Sequence, residues 1–332
     1  MPALPAPSIP TGCENQINRM HAGGKTWDVV VVGDFFMDTV MSGFEAFPRL
    51  GQEAFAKAMR QEIGGGAAIT SCGLARLGLT VAVLGVVGKD DGLWICKRLM
   101  SQGVHASALQ HHPTEPSGVT VSISTAEDRS YLTYYGANEQ LPYLLNDVDA
   151  RLLMTQARHV HFACGPDPGF HADLFPQLHA AGCKISLDVG WHEYWLTDPD
   201  NDVILREADL FFPNEREASL ITGRTDPEEM LQTLSRRGAR NIALKLGAAG
   251  ALLCWDGELI QCPPYPVTPV DTTGAGDCFD AGFIYAWLNG ESPEQCLRTG
   301  AVCGALSTRA LGGIGSFPSQ EELEEALETV RS

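Results

Sequence analysis

The sequence predicts an α/β fold: a doubly wound, mostly parallel sheet with a small β-sheet lid over its ligand crevice. Three observations carry that reading. First, β-branched runs such as Asp28-Val29-Val30-Val31-Val32-Gly33 and Val81-Ala82-Val83-Leu84-Gly85-Val86-Val87 read as strands buried on both faces. Second, such runs alternate with helical patterns, which winds a parallel sheet and sets the ligand at the strand C-terminal ends. Third, the segments at about 36–64 and 117–136 break this rhythm. In the second of them Val119, Val121 and Ile123 alternate with polar residues, the mark of a half-exposed antiparallel hairpin.

Residues 1–26 carry Pro2, Pro5, Pro7 and Pro10 and no long apolar run, so they read as a flexible leader rather than a signal peptide. Residues 27–332 are read as one domain. After the strand at 28–33, segment 36–63 has little periodicity. A helix of small residues follows, from about Gly66 to Leu77, then the strand at 81–87. Asp90 to Ser101 is the next helix, with Leu93, Lys97 and Met100 at helical spacing. Tyr131, Thr133 and Tyr135 form the return arm of the hairpin, after the turn residues Glu127-Asp128. Paired with segment 36–63, that hairpin makes a small sheet over the crevice.

From Arg158 the alternation resumes, with strands at 158–163, 184–188, 209–212 and 240–246. Strands at 249–255 and 258–262 are joined by Asp256-Gly257, a strong hairpin signal. Two long apolar helices follow, at about 276–289 and 292–309. The last helix starts at Ser319, with Glu322 completing a capping box. Leu323, Leu327 and Val330 are its buried stripe; Glu321, Glu324, Glu325 and Glu328 are its solvated face.

Lys+Arg is 23 against Asp+Glu 41, a net charge of −18, which opposes non-specific nucleic-acid binding. An anionic ligand must therefore be held locally, by backbone amides, a few cations or a metal. The ten cysteines form no CxxC or CxxH pair and read as core thiols of a reducing, cytoplasmic protein. No run of ~18 apolar residues signals a membrane span. Neither a GxxxxGK[ST] loop nor a GxGxxG fingerprint occurs, which removes support from P-loop kinases and Rossmann dehydrogenases.

The densest signal is Asp271-Thr272-Thr273-Gly274-Ala275-Gly276-Asp277, opening a long apolar helix. Small residues let the backbone approach a ligand, and helix-start N–H groups point outward with the dipole behind them. Asp277, in the first turn, is expected to be held as an anion able to accept a proton. A base beside an anion cradle suits phosphoryl transfer to an alcohol. The plainer alternative is a glycine turn with an acidic cap.

The same run resembles the C-terminal signature of the ribokinase-like carbohydrate kinases, the PfkB family, and the resemblance covers residues 28–330. Gly33-Asp34-Phe35-Phe36-Met37-Asp38 is similar to the family's first strand end, and Gly64-Gly65-Gly66-Ala67-Ala68 to its di-glycine signature. Gly136-Ala137-Asn138 follows the hairpin as in relatives. Asn214 and Glu217 match an Asn-x-x-Glu element associated with Mg-ATP, and Lys245-Leu246-Gly247 through Gly250 a nucleotide-phosphate loop. The resemblance implies a ribokinase-like fold and ATP-dependent phosphorylation of a hydroxymethyl group. Asp277 would be the base and Gly274, Ala275 and Gly276 the anion hole. Asp34, Asp38, Gly65, Gly66 and Asn138 would surround the acceptor. Asn214, Glu217, Lys245, Gly247 and Gly250 would serve ATP, with Glu217 holding Mg²⁺ through water. Asp271 and Thr273 match positions that bind a monovalent cation such as K⁺.

Read as residues alone, Asp38 offers acceptor oxygens to two sugar hydroxyls, or is a turn aspartate. Asp34 is a ligand or a turn cap. Asn214 and Glu217 are equally an N-cap and its partner, and both roles hold together. His161 of His159-x-His161 reads as a core strand histidine, and His111-His112 lacks further ligands at metal spacing. Trp191, Tyr194 and Trp195 are either a sugar-facing wall or loop packing. Two departures from the family pattern concern the acceptor. Ile69 and Phe36 stand where ribokinase-type relatives carry Asn, replacing two polar contacts with apolar bulk. A nucleoside therefore stands beside a sugar as acceptor, and a non-catalytic binding protein is the third reading. The outer lid face, with its Val and Tyr residues, is expected to pair with a second copy in a homodimer.

Overall fold

Val29, Val30, Val31 and Val32 are all fully buried, because alternate side chains of their strand feed two different apolar layers. Val29 and Val31 join a core with Leu74, Phe212, Phe283 and Leu297. Val30 and Val32 join another with Val160, Phe162, Phe175 and Leu231. The computed structural model describes residues 24–331, apart from 45–46, 48–49 and 125–128. The leader up to residue 23, the Glu127-Asp128 turn and the Val330 side chain lie outside the described residues.

In chain order the strands are β1 (Trp27–Gly33), β2 (Phe36–Ser42), β3 (Ala58–Gly64), β4 (Val81–Leu84), β5 (Val86–Gly88), β6 (Gln110–His112) and β7 (Gly118–Ser124). They continue as β8 (Arg129–Tyr134), β9 (Ala157–Ala163), β10 (Lys184–Leu187), β11 (Leu210–Phe211), β12 (Ile242–Lys245), β13 (Ala251–Trp255) and β14 (Glu258–Cys262). Eight form one sheet, ordered β14-β13-β12-β11-β10-β9-β1-β4. From β4 to β12 the pairs are parallel; β13 and β14 run antiparallel as a hairpin edge. Asp256 and Gly257 both adopt positive φ, 48° and 86°, as a tight two-residue hairpin turn requires.

A separate sheet, ordered β3-β2-β7-β8, joins the two segments that break the α/β rhythm. β2 pairs parallel with β7 and antiparallel with β3. The sequence shows no periodicity in 36–63 because neither strand there has one clean buried face. β2 is mostly half-buried, and the first four residues of β3 are exposed.

One sequence expectation in this region needs correction. The run 81–87 is not one strand. It breaks at Gly85, where a Cβ would collide with the Phe35 ring, and β5 leaves to pair with β6. The expected helix is present as Gly92–Ser101; it buries Ile95 and Leu99, while Leu93 and Met100 are 54% and 48% exposed. The regular spacing of Leu93 and Met100 marks its solvent side.

Candidate active site

Successive strands of the main sheet end on polar residues at one edge. Asp34 follows β1, Asp188 follows β10, Asn214 lies just beyond β11 and Lys245 ends β12. The helices Gly66–Arg76 and Ala275–Leu288 begin at the same edge. Parallel strands wound with helices leave their crevice there, so the topology gathers residues from six parts of the chain.

The start of helix 275–288 is built from close approaches. Gly274 takes φ 72° as its N-cap, and a Cβ there would lie 2.7 Å from Ile69 Cδ1. Ile69 therefore packs under the cradle, against Gly274 and Gly313, and is only 5% exposed. Across the crevice, a Cβ on Gly66 would lie 3.0 Å from Asp277 Oδ1, so only glycine leaves that carboxylate its full space. On the other side a Cβ on Gly276 would lie 3.3 Å from Lys245 Nζ.

Lys245 is held from below. Its ammonium donates to Asp188 Oδ2 at 2.7 Å and to Asp280 Oδ1 at 3.1 Å, and lies 5.9 Å from the Phe212 ring centroid. Asp188, Asp277 and Asp280 each bring an oxygen within 4.8 Å of the others. Burial pushes the Asp188 carboxyl up, but Lys245 and a hydrogen bond from Asp280 outweigh it, leaving it at about 2. Asp280 is pushed well up by burial despite Lys245. Burial, then the Asp188 charge, raises Asp277 to about 7. The helix start is expected to favour the Asp277 anion; lost hydration and like charge act against it. At neutral pH Asp277 is poised between its two forms.

Asn214 and Glu217 form a reciprocal capping box. The Asn214 side chain accepts from the Glu217 N–H, and the Glu217 carboxylate accepts from the Asn214 backbone and amide. Glu217 is 4% exposed and is raised to about 7 by burial and then by Asp188. The Lys245 N–H donates to the Pro213 carbonyl, tying this cap to β12. Gly247 and Gly250 bound the short turn between β12 and β13. Asp271 Oδ1 accepts from the Thr273 N–H and hydroxyl, and Oδ2 from the Gly312 N–H, which draws two loops together beside the cradle.

On the acceptor side, Asp38 lies within β2, opposite Glu62 of β3. A Cβ on Gly64 would collide with its carboxylate. Burial and then Glu62 raise Asp38 to about 6. Glu62 is itself gripped by Arg98, at 2.7 and 2.6 Å. Gly65, at φ 92°, packs on the Asp34 carbonyl. The Asn138 amide is engaged inside the protein: it accepts from the Phe35 N–H and donates to the Phe35 and Tyr135 carbonyls, holding the turn after β1. Asp34 accepts the Tyr135 hydroxyl, which also meets His192 at 3.1 Å.

His159 and His161 are fully buried and share the Ser186 hydroxyl at 2.7 and 2.8 Å, so His161 is a core strand histidine. Trp195 packs on Gly165 and donates to the Pro166 carbonyl, whereas Trp191 lies beside Arg216 and Tyr194 is exposed. Sequence reasoning missed Asp188, Asp280, Tyr135 and His192 as members of the site. The available signals were a carboxylate directly ending a buried strand and an Asp one turn after Asp277 in an otherwise apolar helix.

Residues 28–320 match the pfkB family carbohydrate kinase model. The chain belongs to the pfkB family of carbohydrate kinases. It is 30% identical over 290 residues to 2-dehydro-3-deoxygluconokinase of Bacillus subtilis (strain 168), covering 81% of this chain and 88% of that relative. It is also 30% identical over 314 residues to ribokinase of Arabidopsis thaliana, covering 90% and 80%. The solved structure of Arabidopsis thaliana ribokinase complexed with ribose and ATP aligns with a TM-score of 0.80 at 28% identity, covering 91% of this chain and 99% of that one. The ribokinase-like fold expected from the sequence is therefore present. As a pfkB kinase the chain is an ATP-dependent phosphotransferase of the carbohydrate class, which sets aside the non-catalytic alternative. Among the described residues no helix is long and apolar enough to cross a membrane.

Proposed function

We propose that this pfkB kinase transfers the γ-phosphoryl group of ATP to a hydroxymethyl group of a small sugar. Asp277 is the general base, and the amides of Gly274, Ala275 and Gly276 are the anion hole. The observation that carries this is Asp277 itself. It faces Gly66 across the crevice, beside the cradle, at about pKa 7, where a carboxylate takes up a proton readily. Lys245, fixed behind Gly276, adds positive charge where the transferring phosphoryl group carries negative charge. Gly247 and Gly250 edge the nucleotide side of the crevice. Asp34, Asp38, Gly65 and Gly66 line the acceptor side, with Asn138 shaping the turn beside them. The four-stranded sheet, from segments 36–64 and 117–136, acts as a lid that excludes water from the reaction.

Mg²⁺ fits the donor set. Both Glu217 oxygens already accept hydrogen bonds, yet each keeps a lone pair for a water of a hydrated ion. Asp188, Glu217, Asp277 and Asp280 outnumber Lys245, so a cation would offset an acidic surplus. When bound, Mg²⁺ neutralises phosphate charge. A K⁺ ion near Asp271 and Thr273 would brace the loop that leads into the anion hole. The described cysteines are free thiols, most of them buried, which supports a reducing, cytoplasmic setting.

A nucleoside acceptor is the second reading. The Phe36 and Tyr135 rings, edge to face at 5.8 Å near Asp38, offer a wall to a flat base. The decisive experiment is an ATP-consumption screen of the purified protein over sugars and nucleosides. Turnover with sugars alone supports the first reading, with nucleosides alone the second. No turnover with either sinks both.

A further inference from the structure

The end of β1 carries a feature that the kinase chemistry does not use. Asp34 is 6% exposed. One of its oxygens, Oδ2, accepts the Tyr135 hydroxyl hydrogen, and the Tyr135 oxygen in turn accepts from His192 Nε2 at 3.1 Å. The His192 ring meets the Tyr135 ring edge to face at 5.7 Å. The three residues come from the end of β1, the residue after β8 and the loop after β10, so the cluster ties the small sheet to the main one. Among the described residues, no donor reaches the other oxygen, Asp34 Oδ1. A buried carboxylate oxygen without a donor is costly, and a ligand that brings one removes the cost. The Asp34 backbone carbonyl packs on Gly65, and the next residue, Gly66, faces Asp277. Asp34 thus stands beside the crevice, at the end of β1.

We propose that Asp34 Oδ1 accepts a hydrogen bond from an uncharged hydroxyl group of the acceptor, and that Tyr135 and His192 are positioning residues that hold Asp34 for it. The inference rests on the kinase reading and narrows its substrate class to an acceptor that is a neutral polyol at this end. A carboxylate or phosphate there would face Asp34 and Asp38 together. Arg98 and Arg60, beside the small sheet, are committed to Glu62 at 2.6 and 3.7 Å.

The test measures kcat/KM of the full chain for ribose, 2-deoxyribose, further single-deoxy analogues of the best neutral sugar, and 2-dehydro-3-deoxygluconate. Wild type is compared with Asp34→Asn, Tyr135→Phe and His192→Gln. Wild type should favour a neutral sugar and lose about tenfold to a hundredfold on one deoxy analogue. In Asp34→Asn that particular loss should shrink towards nothing, because the partner of the missing hydroxyl has been weakened. Tyr135→Phe and His192→Gln should raise the acceptor KM and leave the ATP KM unchanged, a split that a general loss of folding would not give. Tyr135→Phe carries the test if Asp34→Asn does not fold. Equal losses on every acceptor, a shifted ATP KM, or a wild-type preference for 2-dehydro-3-deoxygluconate would overturn the proposal. If wild type consumes ATP with no sugar or nucleoside, the kinase reading fails first, and this one fails with it.

Discussion

Lys245 Nζ stands 2.7 Å from Asp188 Oδ2 and directly behind Gly276 of the anion hole. Burial lowers its pKa, but Asp188, Asp280 and Glu217 together outweigh burial and hold it above the usual lysine value, so it is charged. One side chain thereby neutralises a buried acidic pair and places a positive charge under the phosphoryl cradle. Lys245→Met removes both effects. Stability should fall by about 3–5 kcal/mol, the scale for breaking a buried ion pair from one side. Urea denaturation checks this. A loss below about 1 kcal/mol would mean that Asp188 simply takes up a proton once Lys245 is gone and that the pair is not held by Lys245.

Asp277→Asn keeps the shape of the proposed base but cannot take a proton. We expect kcat to fall by roughly 10²–10⁴ while ATP binding persists. With Asp277 as the proposed base, the active form of the parent enzyme is the ionised carboxylate, whose pKa is about 7. The rate should therefore rise with pH through that region and level off above it. Asp188→Asn removes a negative neighbour, so the rising limb should move to lower pH. A limb that stays in place in Asp188→Asn, or survives in Asp277→Asn, assigns the titration to another group.

Much of this site could be read from the sequence because backbone chemistry writes itself locally. Gly274 and Gly276, the Asn214–Glu217 cap and the strand ends at Asp34 and Lys245 all depend on neighbours close in the chain. What stayed hidden depends on distance. Lys245 and Asp280 are 35 residues apart and Tyr135 and Asp34 are 101 apart, and no spacing rule links them. The fold shows the same divide. β1 announces itself by four buried valines, whereas β2 and β3 acquire their strand character from each other and from β7. Position in a motif relates Ile69 to the acceptor, but only the folded chain reveals that it also packs on Gly274 and supports the cradle.

Four carboxyls raised by burial set the pH dependence of stability: Asp280, pushed well up, and three whose shifts are smaller. Asp38, at about 6, and Glu217 and Asp277, at about 7, bind protons more tightly folded than unfolded, where they titrate near 3.8, 4.5 and 3.8. The folded state holds extra protons between about pH 4 and pH 7, so the unliganded protein should lose stability as pH rises across that window. Asp188, at about 2, acts oppositely: its contribution is lost as pH falls below about 4. Mg²⁺ with a non-hydrolysable ATP analogue should raise Tm more at pH 7.5 than at pH 5.5. Glu217→Gln should reduce that difference and raise the Mg²⁺ needed for half-maximal rate. An altered acceptor KM alone in Glu217→Gln would remove it from the metal's surroundings.

The last prediction concerns the outer face of the small sheet. The pairing register puts Met37, Met41, Met59, Val121, Leu132 and Tyr134 on the face opposite Asp38. Of these, Met59, Leu132 and Tyr134 are 62%, 57% and 51% exposed. A lid needs only its inner face to cover an acceptor, so an apolar outer face asks for a second partner. We propose that this partner is another copy of the chain, packed sheet on sheet about a two-fold axis, which brings like apolar residues together. Leu132→Glu would then set a charge against its counterpart and should convert a dimer to a monomer in sedimentation velocity. If the small sheet closes as the proposed lid during turnover, the monomer should also show a higher acceptor KM and more ATP hydrolysis without acceptor. If wild type sediments as a monomer at micromolar concentration, or if Leu132→Glu stays dimeric, the face serves some other purpose. If the variant is monomeric with unchanged kinetics, the dimer exists but does not govern the lid.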